Sequence, residues 1–287
     1  MTMTQERLQG SSLASAQTYA TLLVHVESAP AASNRVDAAA TLARDLGAHL
    51  IGLGAETFES VPDSGSIYGS GEWLVLLQEQ VNNDLQAAEV SFRRQAAGVD
   101  FEWRSAQDYP NRAMARTARA ADLLIASPRS RAAKTSSVDP VELVMCAGRP
   151  VLLVPDGVHR LQAKAIMVAW KDTREARRAI ADALPLLRRA DDVLVQAVCE
   201  PGERDSAVFQ TADVITALQR HGVPASAAIA HAKPDDVADV LRQAADRASA
   251  DLIVAGAYGH SRAREWAFGG VTYELMHRPP CCVLFSH

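Results

Sequence analysis

The sequence writes one unit twice. Ala121-Asp122-Leu123-Leu124-Ile125-Ala126 matches Ala250-Asp251-Leu252-Ile253-Val254-Ala255, Arg149-Pro150 matches Arg278-Pro279, and Val154 matches Val283, each pair 129 positions apart. A constant offset of this kind is the mark of a duplicated structural unit, and it limits the fold more than any composition could. With 287 residues, the length suits two domains of ordinary size.

Each half alternates short apolar runs with segments of helical spacing. In the first half, Thr21–Glu27, His49–Ala55, Phe101–Ala106, Leu123–Ala126 and Val151–Val154 read as strands. Arg35–Leu46, Glu72–Ala97 and Asn111–Ala120 read as helices. In the second half the strands are Ala165–Trp170, Val193–Val198, Ala225–Ala230, Leu252–Ala255 and Cys281–Phe285. The helices there are Arg174–Arg189, Ala207–His221, Asp235–Ser249 and Val271–Met276. Ala176, Ile180, Leu184 and Leu187 recur at helical spacing, with Arg174, Arg177, Arg178 and Arg188 elsewhere on the wheel. Asp172 with Glu175 resembles a capping box, Gly222 suits a C-terminal stop, and Pro185 should kink or shorten its helix. Short apolar strands alternating with helices predict parallel sheets covered on both faces. The expected fold is therefore α/β, two tandem domains of about five strands each, with the boundary near residues 157–162 and residues 1–18 a polar tail.

Composition excludes several classes. With 48% hydrophobic and 22% charged residues, the chain is no disordered polymer, collagen or disulfide scaffold. Its formal net charge is −5, which argues against non-specific binding of nucleic acid or anionic membrane. Residues 1–158 hold 13 Lys and Arg against 18 Asp and Glu, and the remainder 16 of each, so the second half is the better placed for an anion. Cys146, Cys199, Cys281 and Cys282 have no metal or redox spacing and read as reduced core residues. The polar N-terminus lacks the apolar stretch of a secretory signal, and no run is long enough to span a bilayer; a cytoplasmic protein is expected.

Enzyme signatures are mostly missing: there is no P-loop, no H-E-x-x-H and no G-x-S-x-G elbow. One constellation stands out. The strand ending at Ala255 runs into Gly256-Ala257-Tyr258-Gly259-His260-Ser261-Arg262, and Phe268-Gly269-Gly270-Val271-Thr272 then opens a helix. Glycines let backbone approach an anion, and the unpaired N–H groups of a helix start attract it, so this pattern suits phosphate. Arg262 and Arg264 add charge. The alternative is that the glycines only make tight turns.

Residues Gly256 to Thr272, the Ala250–Val254 entry, the Arg278–Leu284 ending and Ile166–Thr173 resemble the universal stress protein family, in its tandem two-domain form. That resemblance implies a doubly wound, five-stranded parallel sheet of order 3-2-1-4-5 in each domain (residues 19–157 and 162–287), joined through their last strands as an intramolecular pseudo-dimer. It also implies ATP, with Mg²⁺, as ligand. Ala169, Trp170, Lys171, Asp172 and Val198 would flank the adenosine. Gly256, Gly259, Gly269, Gly270, Val271 and Thr272, with His260 and Arg262 beside them, would surround the phosphates.

The sequence departs from the family pattern twice. Lys171 stands where an acidic residue is usual, leaving Asp172 as the acceptor for a ribose hydroxyl, while Lys171 could alternatively reach a phosphate. Gly270 stands where a hydroxyl is usual, and Thr272 is the nearest replacement. In the first half the 129-residue offset turns Gly256, Gly259, Gly269 and Gly270 into Ser127, Ser130, Pro140 and Val141. That domain is expected not to hold ATP in this way. His25 and Glu27 close its first strand. Trp73-Leu74-Val75-Leu76-Leu77 is too apolar for one helix face, and reads as a contact with the other domain or a second subunit, or as a lid.

The expected function is a non-enzymatic adenine-nucleotide-binding stress or regulatory protein, at most a slow ATPase. A scaffold that binds a protein partner through a vestigial pocket is one alternative, and an enzyme acting on a nucleotide is another. The chain would be a monomer with pseudo-dimeric halves or a homodimer.

Overall fold

A computed structural model describes residues 18–28, 32–57, 71–128, 137–258 and 270–287. In the first half β1 (Thr21–Val26), α1 (Ala32–Leu46), β2 (His49–Glu56), α2 (Gly71–Gln95) and β3 (Phe101–Gln107) are followed by α3 (Pro110–Thr117), β4 (Leu123–Ala126), α4 (Pro140–Cys146) and β5 (Val151–Leu153). The second half repeats the order: β6 (Ala165–Trp170), α5 (Arg174–Leu187), β7 (Asp192–Cys199), α6 (Arg204–Arg220), β8 (Ala225–His231), α7 (Val237–Arg247), β9 (Leu252–Gly256), α8 (Gly270–His277) and β10 (Cys282–Ser286).

All ten strands belong to one sheet, ordered β3-β2-β1-β4-β5-β10-β9-β6-β7-β8. Each half is a parallel 3-2-1-4-5 sheet, and the halves meet where β5 and β10 run antiparallel, Val283 opposite Leu153 and Phe285 opposite Val151. The expected pseudo-dimer is thus a continuous sheet. Strands buried on both faces need not alternate, which is why Leu123–Ala126 and Leu252–Ala255 are wholly apolar. One core, on the face of α1, α2, α5 and α6, gathers residues of both halves, such as Val36, Phe92, Leu152, Ala183 and Leu284. The opposite core, under α3, α4, α7 and α8, does the same with Met114, Leu153, Leu241 and Phe285. Polar ties add to the seam: Tyr19 Oη donates to the Asp182 carbonyl at 2.6 Å, and Arg189 donates to the Asp45 carbonyl at 2.9 Å.

Several local expectations need correction. The helix α4 was not expected. Asp139 caps it by accepting from the Val141 N–H at 2.9 Å, and Pro140 supplies the pre-set first residue, an Asp-Pro signal that the weak periodicity of seven residues concealed. The cap of α5 is Thr173, whose Oγ1 accepts from the Ala176 N–H at 3.2 Å. Asp172 turns outward to Arg177 at 3.4 Å. The helix α5 ends at Leu187, two residues past Pro185, and Gly222 follows α6 with φ +76° as a stop requires. The 129-residue offset also slips. Leu124 pairs with Val151 and Ile253 with Val283, so the offset is 129 from β4 to β9 and 132 from β5 to β10. Of the cysteines only Cys282 is buried, and Cys146 is exposed. Leu74, Val75 and Leu76 lie exposed on the first turns of α2, not against the second half.

Candidate functional site

In an open doubly wound sheet, the strand order reverses between the first and fourth strands, and ligands bind at that crevice. The molecule has two such places. At the second, between β6 and β9, there is a cavity of about 390 Å³, within the ~300–1,000 Å³ range of small-molecule sites. Its floor is the carboxyl ends of β6 (Ala169, Trp170), β7 (Val198, Cys199) and β9 (Ala255, Gly256). Lys171 and Thr173 line the turn into α5, and Gly270, Val271 and Thr272 form the first turn of α8. Pro234, Val237 and Leu241 make the wall contributed by α7 and the turn before it, and Glu200 and Glu203 stand on the rim.

Of the residues singled out in the sequence, Ala169, Trp170, Lys171, Val198, Gly256, Gly270, Val271 and Thr272 therefore come together around one cavity. Asp172 does not line it, because its carboxylate is ion-paired with Arg177. Gly259, His260, Arg262 and Gly269 lie outside the described residues, as do Ser130, Arg264 and Phe268. The sequence reading missed Glu200, Glu203 and the α7 wall, because no motif marks them. They arrive through the order of the sheet.

Two features of this cavity have physical weight. The Trp170 ring is 6% exposed, and its Nε1–H finds no hydrogen-bond partner among the described residues. Leaving such a donor unsatisfied costs about 1–3 kcal/mol. Gly256 is needed for packing: a Cβ there would lie 2.5 Å from the Ala176 amide nitrogen and 2.6 Å from the Glu175 carbonyl carbon. The strand end is thus pressed against the start of α5, whose positive pole faces the crevice. Just beyond, Tyr258 has φ +58°, a left-handed conformation that is rare outside glycine and occurs where a chain turns sharply. Its hydroxyl reaches Met276 Sδ at 3.5 Å.

At the first crevice the strand ends are occupied by the chain itself, and a cavity of about 280 Å³ remains beside them, between the starts of α3 and α4, lined by Tyr109, Asn111, Ser137 and Asp139. Register places His25 where the second half has Ala169 and Glu27 where it has Lys171, since Leu22 pairs with Leu123 as Ile166 pairs with Leu252. Arg35, from α1, lies between them, 4% exposed. Its guanidinium donates to the His25 carbonyl at 2.7 Å, to Ser127 Oγ at 2.9 Å and to Glu27 Oε1 at 3.1 Å. Ser137 donates to the other Glu27 oxygen at 3.0 Å. Burial, and the neighbouring guanidinium, hold His25 well below the usual histidine range, hence neutral. Its Nε2 has no partner among the described residues.

Among the described residues no group of His, Cys, Asp or Glu is arranged to hold a metal ion, and no helix is long and apolar enough to cross a membrane.

Comparison with known proteins follows this geometry. The sequence model of the universal stress protein family matches residues 162–287. Searching the curated proteins gave no match. A universal stress protein from Archaeoglobus fulgidus DSM 4304 superposes with a TM-score of 0.68 at 13% identity, over 93% of this chain and 95% of that one. A functionally unknown protein from Pseudomonas aeruginosa PAO1 gives 0.55 at 14% identity, over 93% and 92%. Both share the fold over nearly their whole length.

Proposed function

With residues 162–287 belonging to the universal stress protein family, and the first half repeating their fold, we propose that this chain is a non-enzymatic, adenine-nucleotide-binding stress or regulatory protein with one nucleotide site per chain. The observation that carries the reading is the cavity of about 390 Å³ at the β6/β9 crevice, where the corresponding strand ends of the first half are occupied by Arg35. Its parts suit a nucleotide. Val198, Val237 and Leu241 offer an apolar slot for a base. The first turn of α8, with Gly270 exposed and no described atom within 4 Å of where its Cβ would be, offers helix-start backbone N–H groups of the kind that hold phosphate oxygens. Glu200 and Glu203 supply carboxylates for ribose hydroxyls, the role that Asp172 gives up. No general base is assigned among the described lining residues, and slow ATP hydrolysis at most is the activity proposed.

One observation favours the second reading, a partner-binding scaffold with a retired pocket: Asp172 is tied to Arg177 and Gly256 is explained by packing alone. Small molecules released from the denatured protein, identified by mass, followed by titration of the emptied protein with ATP and Mg²⁺, separate the two. Nucleotide in the wild type, and none in Val198→Phe, which fills the slot, supports a nucleotide protein. No binding by a folded wild type leaves the scaffold.

A further inference from the structure

Cys199 closes β7, and its register partner on β8 is His231. The sulfur lies 3.5 Å from His231 Nδ1, and Arg204, on the first turn of α6, approaches His231 Nε2 at 3.4 Å. Arginine carries only donors, so Nε2 must be the accepting nitrogen, and the proton of a neutral imidazole then sits on Nδ1, facing sulfur. The thiol donates weakly to the Ala230 carbonyl at 3.8 Å; the thiolate would instead take the Nδ1–H. Glu200 and Glu203 share the rim and work against negative charge on sulfur, with Arg204 as the countercharge beside them. Cys199 also lines the cavity, into whose wall Trp170 brings a buried, unpartnered N–H.

We propose that Cys199 is a modification site, a thiol whose attack on a low-molecular-weight disulfide is promoted by His231 and Arg204, and whose adduct closes the mouth of the second crevice. The thiolate is the nucleophile in such exchange. The Cys199 thiol gives its proton to water, the thiolate, held by the His231 Nδ1–H, attacks one sulfur of the reagent, the reagent's S–S bond breaks as a new S–S bond forms to Cys199, and the other half leaves as a thiolate that takes up a proton from water. Cys199 is oxidised and the departing half reduced, so no other oxidant is needed. The other three thiols are poorer candidates. Burial pushes Cys281 and Cys282 up to about 12. Burial and Glu142 also raise Cys146 on α4, and it does not line this cavity.

The test treats reduced, nucleotide-free protein with limiting oxidised glutathione and maps the adducts by peptide mass against time. Cys199 should react first, about tenfold faster than Cys146. His231→Ala and Arg204→Gln should each slow Cys199 by about tenfold and leave Cys146 unchanged, and His231→Asn, which restores an N–H donor, should recover part of the rate. An unchanged Cys146 rate and an unchanged circular-dichroism spectrum report that each variant is folded. Cys199 reacting no faster than Cys146, or at an unchanged rate in both variants, would overturn the proposal. Because nucleotide is absent throughout, the result stands whether or not the chain binds ATP.

Discussion

The two crevices of this molecule share a fold and differ in what fills them. In the first, Arg35 reaches in from α1 and is held by Glu27, Ser127 and the His25 carbonyl. In the second, the corresponding strand-end positions carry Ala169 and Lys171, Gly256 takes the place of Ser127, and a cavity remains. Directly after the first strand, the half whose crevice holds an internal cation has an acid, Glu27, and the other half has Lys171. A buried guanidinium paired with a carboxylate satisfies the same surfaces that a bound ligand would, and makes that half self-sufficient. The first half thus completes the sheet, and the second keeps an open cavity at its strand ends.

This contrast predicts a hierarchy of effects. The largest follows Arg35→Met. Losing the guanidinium strands Glu27, 8% exposed, with Ser137 as its remaining hydrogen-bond partner among the described residues, and unfolding in urea should show a loss of about 3–5 kcal/mol. Adding Glu27→Gln should recover much of that; a single variant as stable as wild type would mean that the first crevice is not held by this pair. Next comes Gly256→Ala, which places a methyl 2.5 Å from the Ala176 nitrogen. A cost of about 2–3 kcal/mol is expected from overpacking. A neutral result would show that the strand end yields easily and that packing does not account for this glycine.

His25 gives the first half a pH signature. Its folded-state pKa is held below the unfolded value by burial and by Arg35, so below about pH 6.5 the unfolded chain takes up a proton that the folded chain refuses. Stability should therefore fall with pH, by up to about 1.4 kcal/mol per unit below pH 6.5 and down to the folded pKa. His25→Asn should lose this component, measured as urea midpoints at pH 5.5 and 7.5. The smallest effect belongs to Thr272, buried in the first turn of α8. Thr272→Val keeps shape and removes a hydroxyl, and ATP affinity should weaken by about threefold to tenfold, the worth of one hydrogen bond. An unchanged affinity would place the phosphates elsewhere.

Much of this was legible in the residues. Alternating apolar runs and helical spacing located the ten strands to within one or two residues, and the repeat pointed to two units joined at Val151–Val154 and Cys281–Phe285. The second cavity could be outlined because its floor comes from strand ends next to glycines. Burial of polar groups was not legible. Arg35 shares the helical spacing of the buried Ala38, Ala39 and Leu42, but only the fold shows that its guanidinium enters a crevice and finds Glu27 there. Thr173 and Asp172 both suit a cap, and which one serves is decided by where α5 must start against Gly256. Trp73–Leu77 reads as a contact with the other domain or a second subunit, or as a lid; exposure of Leu74, Val75 and Leu76 in the single chain excludes only the first of these.

The central claim is the asymmetry, and stoichiometry tests it most directly. Equilibrium dialysis of the purified chain against labelled ATP with Mg²⁺ should saturate at one nucleotide per chain, and Val198→Phe should reduce that to none. Saturation at two would show that Arg35 does not close the first crevice. No binding, or binding that survives Val198→Phe, would show that the second crevice is not a nucleotide site.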